Sequence, residues 1–255
     1  MNTKYLLDQK NMWDKSAQDT TDRFLQIHFT DNFNPYESIF NELKYYLQFD
    51  DRRILEVGCG NGLILERIIN QTKNADIYGI DISNNLIEEA KRAIPLFKNN
   101  LLVGDASKLP FENEFFDTVY SNSIFQYFPD LEYTEQVIEE MVRVTKPGGK
   151  LFIGDIYNSR LRNVFEQFFV KLEIRSFLVL NIKKVLNKYF RRDYIIRKYL
   201  YIEPNYFLER FGSIGKIYPL LITSYKPELF RQFRYNILIE KNVKILNDID
   251  PKGPP

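Results

Sequence analysis

A doubly wound α/β fold is predicted for this chain, with a mostly parallel seven-stranded sheet and an α-helical insert after the fifth strand. Three observations carry it. Between residues 50 and 155, short apolar runs ending in Gly or Asp alternate with helical patterns, as βαβ units require. A run of alternating glycines, Gly58, Gly60 and Gly62, joins the first strand pattern to the first helix. After Asp155 the composition turns basic and aromatic, and strand patterns return only near residue 216.

The elements follow in order. Strands are expected at 53–57 and 76–80, with a helix at 62–70 in which Leu63, Ile64, Ile68 and Ile69 share a face. Ser83 is placed to cap a helix over 84–93, and Pro95 to end it. Strands three and four fall at 101–104 and 116–121. A helix over 131–144 carries Val137, Ile138, Met141 and Val144 on one side. Pro147 and Gly148 suit the two central positions of a type II turn, which delivers the chain into a fifth strand at 150–155. Two more strands are expected at 216–222 and 234–240. The predicted organisation is an N-terminal helical lid (1–49), a cofactor-binding core (50–155), a basic, aromatic acceptor cap (156–213), the last two strands (214–244) and a tail (245–255).

Bulk properties exclude several classes. Among 255 residues, 35 Lys and Arg face 34 Asp and Glu, a formal net charge of +1, so no global field holds the chain on nucleic acid. One cysteine and one histidine rule out an intrachain disulfide and make a Cys/His zinc cage untenable; no metal is expected, and the compartment reads as a reducing cytoplasm. No signal-peptide pattern opens the sequence and no run of 18 uncharged apolar residues occurs, so neither export nor a transmembrane segment is expected.

The chemistry centres on Glu56-Val57-Gly58-Cys59-Gly60-Asn61-Gly62. Positions without Cβ let a ligand lie on bare backbone at a helix N-terminus, where free N–H groups point outward. Asp81 ends the next strand, 21 residues after Gly60, where a Rossmann unit places the carboxylate that accepts from ribose hydroxyls. A Gly-rich turn and a helix-capping acid are the plain structural readings of the two features. A nicotinamide site would put its third glycine three residues after the second, not two, and no Gly-Lys-Ser/Thr follows the loop to make a phosphate cradle.

At these residues the chain resembles the class I S-adenosylmethionine-dependent methyltransferases of the small-molecule branch, whose sheet is Rossmann-like. The resemblance covers about residues 50–155. It implies S-adenosyl-L-methionine as cofactor, with Glu56, Gly58, Cys59, Gly60 and Asn61 under its methionine part, Asp81 at the ribose, and Ile82 on the adenine face. Gly104-Asp105-Ala106 matches the end of the family's third strand, implying Asp105 at the adenine amine with Ala106 beside it. The segment 116–122 matches the fourth-strand motif, implying Ser121 and Asn122 near the methionine and Gln126 where many relatives carry histidine. Trp13 resembles the N-terminal aromatic that closes the cofactor site in relatives; simple packing is its other reading.

The expected function is methyl transfer from S-adenosylmethionine to a small-molecule acceptor: O- or N-methylation of a metabolite, sugar or lipid-linked intermediate. A non-catalytic cofactor-binding or interaction module is the alternative. Nucleic acid is not expected as acceptor, because strand four leads to Ser121-Asn122-Ser123-Ile124 rather than an Asp/Asn-Pro-Pro-Tyr/Phe tetrad. For a hydroxyl acceptor the candidate bases are His28, Asp155 and tyrosines such as Tyr120 or Tyr127. Between residues 171 and 200, nine basic residues face two acidic ones on an amphipathic pattern. That stretch reads as a lid with a solvated face, as a wall recognising an anionic acceptor, or as a peripheral membrane contact near a lipid-linked one.

Overall fold

The computed structural model describes residues 3–26, 36–50, 52–163, 200–221 and 234–243. The N-terminal segment holds α1 (Thr3–Gln18), the short α2 (Arg23–Gln26) and α3 (Tyr36–Tyr46). Alternation follows: β1 (Arg53–Val57), α4 (Leu63–Gln71), β2 (Asp76–Asp81), α5 (Asn84–Ala93), β3 (Leu101–Val103), β4 (Phe116–Asn122), α6 (Leu131–Val144) and β5 (Thr145–Tyr157). A helix α7 (Pro204–Phe211) precedes β6 (Gly215–Leu221) and β7 (Arg234–Lys241).

The strands form one seven-stranded sheet in the order β3-β2-β1-β4-β5-β7-β6. β1 to β5 pair in parallel, while β7 runs antiparallel to both β5 and β6. Successive side chains of a strand point to opposite faces, and the central strands use both. Leu55, Val119, Leu151 and Ile237 pack on the α6 and α7 side with Val137, Ile138, Met141, Val144, Phe207 and Phe211. Their neighbours Ile54, Tyr120, Phe152 and Leu238 pack on the α3, α4 and α5 side with Phe40, Leu43, Leu65, Ile68 and Ile87. Helices thus cover both faces, as a parallel sheet requires.

Several local expectations hold residue by residue. Ser83 accepts a hydrogen bond from the Leu86 N–H and starts α5; Asp130 does the same for α6 through the Tyr133 N–H. Gly148 takes φ 75°, as the turn demanded. The fifth strand is longer than expected. The turn is absorbed as an irregularity between the Phe116–Thr145 and Thr118–Lys150 pairs, so pairing begins at Thr145 and resumes at Lys150. At its other end β5 advances three residues, Ile153 to Ile156, while β7 advances two, Ile237 to Tyr235. The extra residue makes a β-bulge at Asp155, which adopts φ 65°. Asp155 therefore sits in a kink within the strand rather than at its end.

Of the predicted acceptor cap, α7 and the flanking residues 200–203 are described, and Ile202 bridges in parallel to Asn158 beyond β5. His28, the stretch 171–199 and the tail lie outside the described residues. Among the described residues no helix is long and apolar enough to cross a membrane.

Candidate cofactor and active site

The order of strands reverses between β1 and β4, and a crevice opens at the carboxyl ends there. The glycine loop forms its floor. Gly58, Gly60 and Gly62 all have positive φ, at 79°, 53° and 77°. A Cβ on Gly58 would come within 2.6 Å of the Ile124 side chain, so only glycine lets the β1 loop and the β4 loop touch. The Gly58 and Cys59 N–H groups donate to the Ile80 carbonyl, at 2.7 and 3.1 Å, and tie the loop to β2.

Asp81 stands next to this loop. Its two oxygens accept from the Gly60 N–H (2.8 Å) and the Ser83 N–H (2.9 Å), which fixes the carboxylate between the loop and the start of α5. Desolvation pushes its pKa above the ordinary aspartate value, against those two bonds. Ile82 follows it, half-buried. Asp105, after β3, is held by Ser107 through its N–H and hydroxyl (both 2.8 Å) and by the Tyr133 hydroxyl (2.7 Å), all on Oδ1. Asp81 and Asp105 thus lie on neighbouring strand ends with Ala106 beside the second.

Glu56 is buried, and burial pushes its carboxyl well above the usual range. Glu56 Oε2, Ser121 Oγ and Gln126 Oε1 are buried without a well-formed hydrogen bond among the described residues, the Tyr120 hydroxyl lying beside the Glu56 carboxyl. Buried polar atoms are rarely left so. All three belong to β1, β4 or the loop just beyond β4, beside the glycine loop, and a zwitterionic amino-acid moiety is the kind of ligand that would satisfy them. The residues present therefore fit S-adenosylmethionine. Gln126 lies in a 3-10 turn, Phe125–Tyr127, and its amide donates to the Ser123 carbonyl at 2.8 Å.

Three expected site residues serve differently from their reading in sequence. The Cys59 thiol faces the core, packed with Leu65 and Leu101 around Gly79, so only its backbone belongs to the loop. The Asn61 amide donates to the Arg23 carbonyl (2.7 Å) and Gln26 Oε1 (2.9 Å), gripping α2, while its Oδ1 is buried without a partner among the described residues. Asp155 is fully buried, and its Oδ2 accepts from the Ser123 hydroxyl (2.6 Å) and pairs with Arg234 (2.6 Å). An ion-paired, enclosed carboxylate is a poor direct base for an acceptor, because the paired guanidinium stabilises its charged form. Tyr120 is also corrected as a base: it is buried on the α3 and α4 face, and burial pushes its phenol well above its usual value.

The N-terminal helices close over this edge. Asp14 of α1 accepts from the Ser83 hydroxyl (2.6 Å) and the Asn85 N–H (3.1 Å), beside Asp81. Arg23 reaches the Asn61 carbonyl (2.7 Å) and Glu66 (2.6 Å). Trp13 meets Tyr127 edge-on, with centroids 5.3 Å apart. α1 thus contacts both the start of α5 and the turn beyond β4. Asp14, Arg23, Ser123, Tyr133 and Arg234 were not legible in the sequence: each partner pair is far apart in the chain, and none lies in a spaced motif.

Residues 55–153 match the model of the methyltransferase domain family. Over this segment, which is less than half of the chain, the match agrees with the resemblance to the class I S-adenosylmethionine-dependent methyltransferases. Over 115 residues the chain is 40% identical to the chondramide synthase of Chondromyces crocatus, covering 44% of this chain and 3% of the synthase. Over 126 residues it is 29% identical to the malonyl-[acyl-carrier protein] O-methyltransferase of Priestia megaterium, covering 49% of this chain and 44% of that enzyme. The chain therefore spans less than half the length of these relatives. The fold is shared with the partner of the Trm112 methyltransferase activator in a complex from Haloferax volcanii, at TM-score 0.63 and 17% identity, over 90% of this chain and 97% of that one.

Proposed function

We propose that this chain transfers a methyl group from S-adenosylmethionine to a small-molecule or carrier-linked acceptor, by O- or N-methylation. The observation that carries this is the pairing of a ribose-type carboxylate, Asp81 on Gly60, with unsatisfied buried polar atoms at the β1 and β4 ends of one crevice. The similarity to a malonyl-carrier O-methyltransferase supports a small or carrier-linked acceptor.

When bound, the cofactor supplies a methyl group made electrophilic by its sulfonium. The protein's contribution is placement. Asp81 and Asp105 fix the nucleoside, Glu56, Gly58, Gly60 and Ser121 the methionine half, and the acceptor enters beyond β4, under Trp13 and Tyr127. Holding two reactants in line is worth up to about 7–11 kcal/mol of barrier in well-oriented cases. The basic stretch 171–200 follows β5 and is where an anionic acceptor would be recognised.

The test is acceptor-dependent formation of S-adenosylhomocysteine. The purified chain is incubated with S-adenosylmethionine and a panel of carrier-linked acids, anionic metabolites and lipid-like hydroxyl compounds. Turnover with one class, lost in Asp81→Ala, is expected. Tight cofactor binding with no turnover across the panel would favour a non-catalytic binding module instead.

A further inference from the structure

Two non-glycine residues at the crevice adopt positive φ, Ser123 at 61° and Asp155 at 65°, and they touch each other. Such backbone is strained in a residue with a Cβ and persists where the surroundings over-determine it, most often at functional sites. Here the surroundings are plain. The Asp155 N–H donates to Asn236 Oδ1 (2.9 Å), whose amide in turn donates to Glu42 (3.1 Å). The Asp155 carboxylate pairs with Arg234, whose guanidinium stacks 3.9 Å over the Tyr157 ring and bonds its hydroxyl. A buried ion pair is weak support for stability but a good device for fixing geometry.

What that geometry fixes is the Ser123 hydroxyl. Its only proton is directed to Asp155 Oδ2, and it accepts from the Asn122 amide at 3.1 Å. A hydroxyl has two acceptor lone pairs, so one remains. Ser123 is half-buried and precedes Ile124, which lies against Gly58. In the strand order β2-β1-β4-β5, Ser123 follows β4, two strands across the glycine loop from the β2 end that carries the ribose-type carboxylate. On the functional reading above, the β4 end holds the reacting methyl.

We propose that Ser123, oriented by Asp155 and Arg234, accepts a hydrogen bond from the acceptor at the point of methyl transfer, so that the acceptor is an O–H or N–H nucleophile rather than a carboxylate. Its lone pair, backed by a carboxylate, attracts a donor hydrogen and repels an anionic oxygen. Asp155 and Arg234 are positioning residues in this arrangement.

The proposal is tested with two cofactor analogues on the full chain by titration calorimetry. S-adenosylhomocysteine lacks the methyl group; sinefungin carries an amine where the methyl would be, a donor aimed at the same point. The wild type should prefer sinefungin by about tenfold, the worth of one good hydrogen bond to a charged group. Ser123→Ala should abolish that preference while leaving the S-adenosylhomocysteine affinity within about twofold. Ser123→Gly repeats the test with a residue at ease at positive φ, should alanine disturb the loop. A preference unchanged in both variants overturns the proposal. Failure of the wild type to bind either analogue overturns the cofactor reading itself, a separate result.

Discussion

Asp81 holds its carboxylate with two backbone N–H groups, and on the proposed function its remaining lone pairs take the ribose hydroxyls. Hydrogen bonds to a charged group contribute about 1.5–3 kcal/mol each, so removing the carboxylate should weaken cofactor binding by at least one to two orders of magnitude. Gly58→Ala makes a different prediction. Its Cβ would overlap Ile124 at a residue with φ 79°, and the loss should be about 1–3 kcal/mol of stability, read by urea denaturation; an unchanged midpoint would contradict the close approach. At this scale the sequence was informative where backbone geometry imposes a residue type, as at the three glycines, Ser83 and Asp81. It misled where a side chain's direction decides. Cys59 and Asn61 share the loop with Gly58 and Gly60, but the local turn sends one into the core and the other to α2. Asp155 looked like a strand-end acid because Arg234, 79 residues away, is invisible to local reading.

Among the elements, α1 is the part most dependent on a few polar contacts. Asp14 ties it to Ser83 and Asn85, and it also pairs with Lys10. Burial raises the pKa of Asp14, but the bonds from Lys10, Ser83 and Asn85 outweigh it and leave the pKa below the ordinary one. A lowered carboxylate stabilises the docked helix above its ordinary value and loses that contribution as pH falls through the lowered value. Proteolysis within residues 1–26 should therefore accelerate at acid pH and in Asp14→Ala, with residues 52–163 still protected. Equal cleavage in wild type and variant would contradict the latch. The helices and strands of the core were predictable because each carries one unambiguous apolar period, as in α6, whose Val137, Ile138, Met141 and Val144 are all fully buried. The bulge in β5 was not, since an aspartate at positive φ leaves no local signal.

For the molecule as a whole, cofactor binding and stability are linked through groups buried for the ligand's benefit. Glu56 has its value raised by burial, so the folded state favours its protonated form. That contribution is present below the ordinary glutamate value, near 4.3, and is lost as pH rises through the raised value, leaving a penalty at neutral pH. Glu56→Gln should consequently raise the thermal midpoint of the ligand-free protein at neutral pH, flatten the pH dependence above the ordinary glutamate value, and weaken cofactor binding. A lower midpoint at neutral pH would show that the carboxylate is stabilising as it stands. The three-layer arrangement follows from the sequence because a parallel sheet buried on both faces needs apolar residues at successive positions, and Ile54-Leu55, Leu151-Phe152 and Ile237-Leu238 provide them.

The measurement closest to the centre of this account is calorimetric titration of the chain with S-adenosylmethionine and S-adenosylhomocysteine, repeated with Asp81→Ala. One-to-one binding is predicted, with a rise in thermal midpoint at saturating ligand; at about 100 times Kd the stabilisation is roughly 2.7 kcal/mol. The substitution should weaken both ligands by at least tenfold. Absence of heat and of any thermal shift in the wild type, or equal binding by the variant, would contradict the assignment of this crevice to the cofactor.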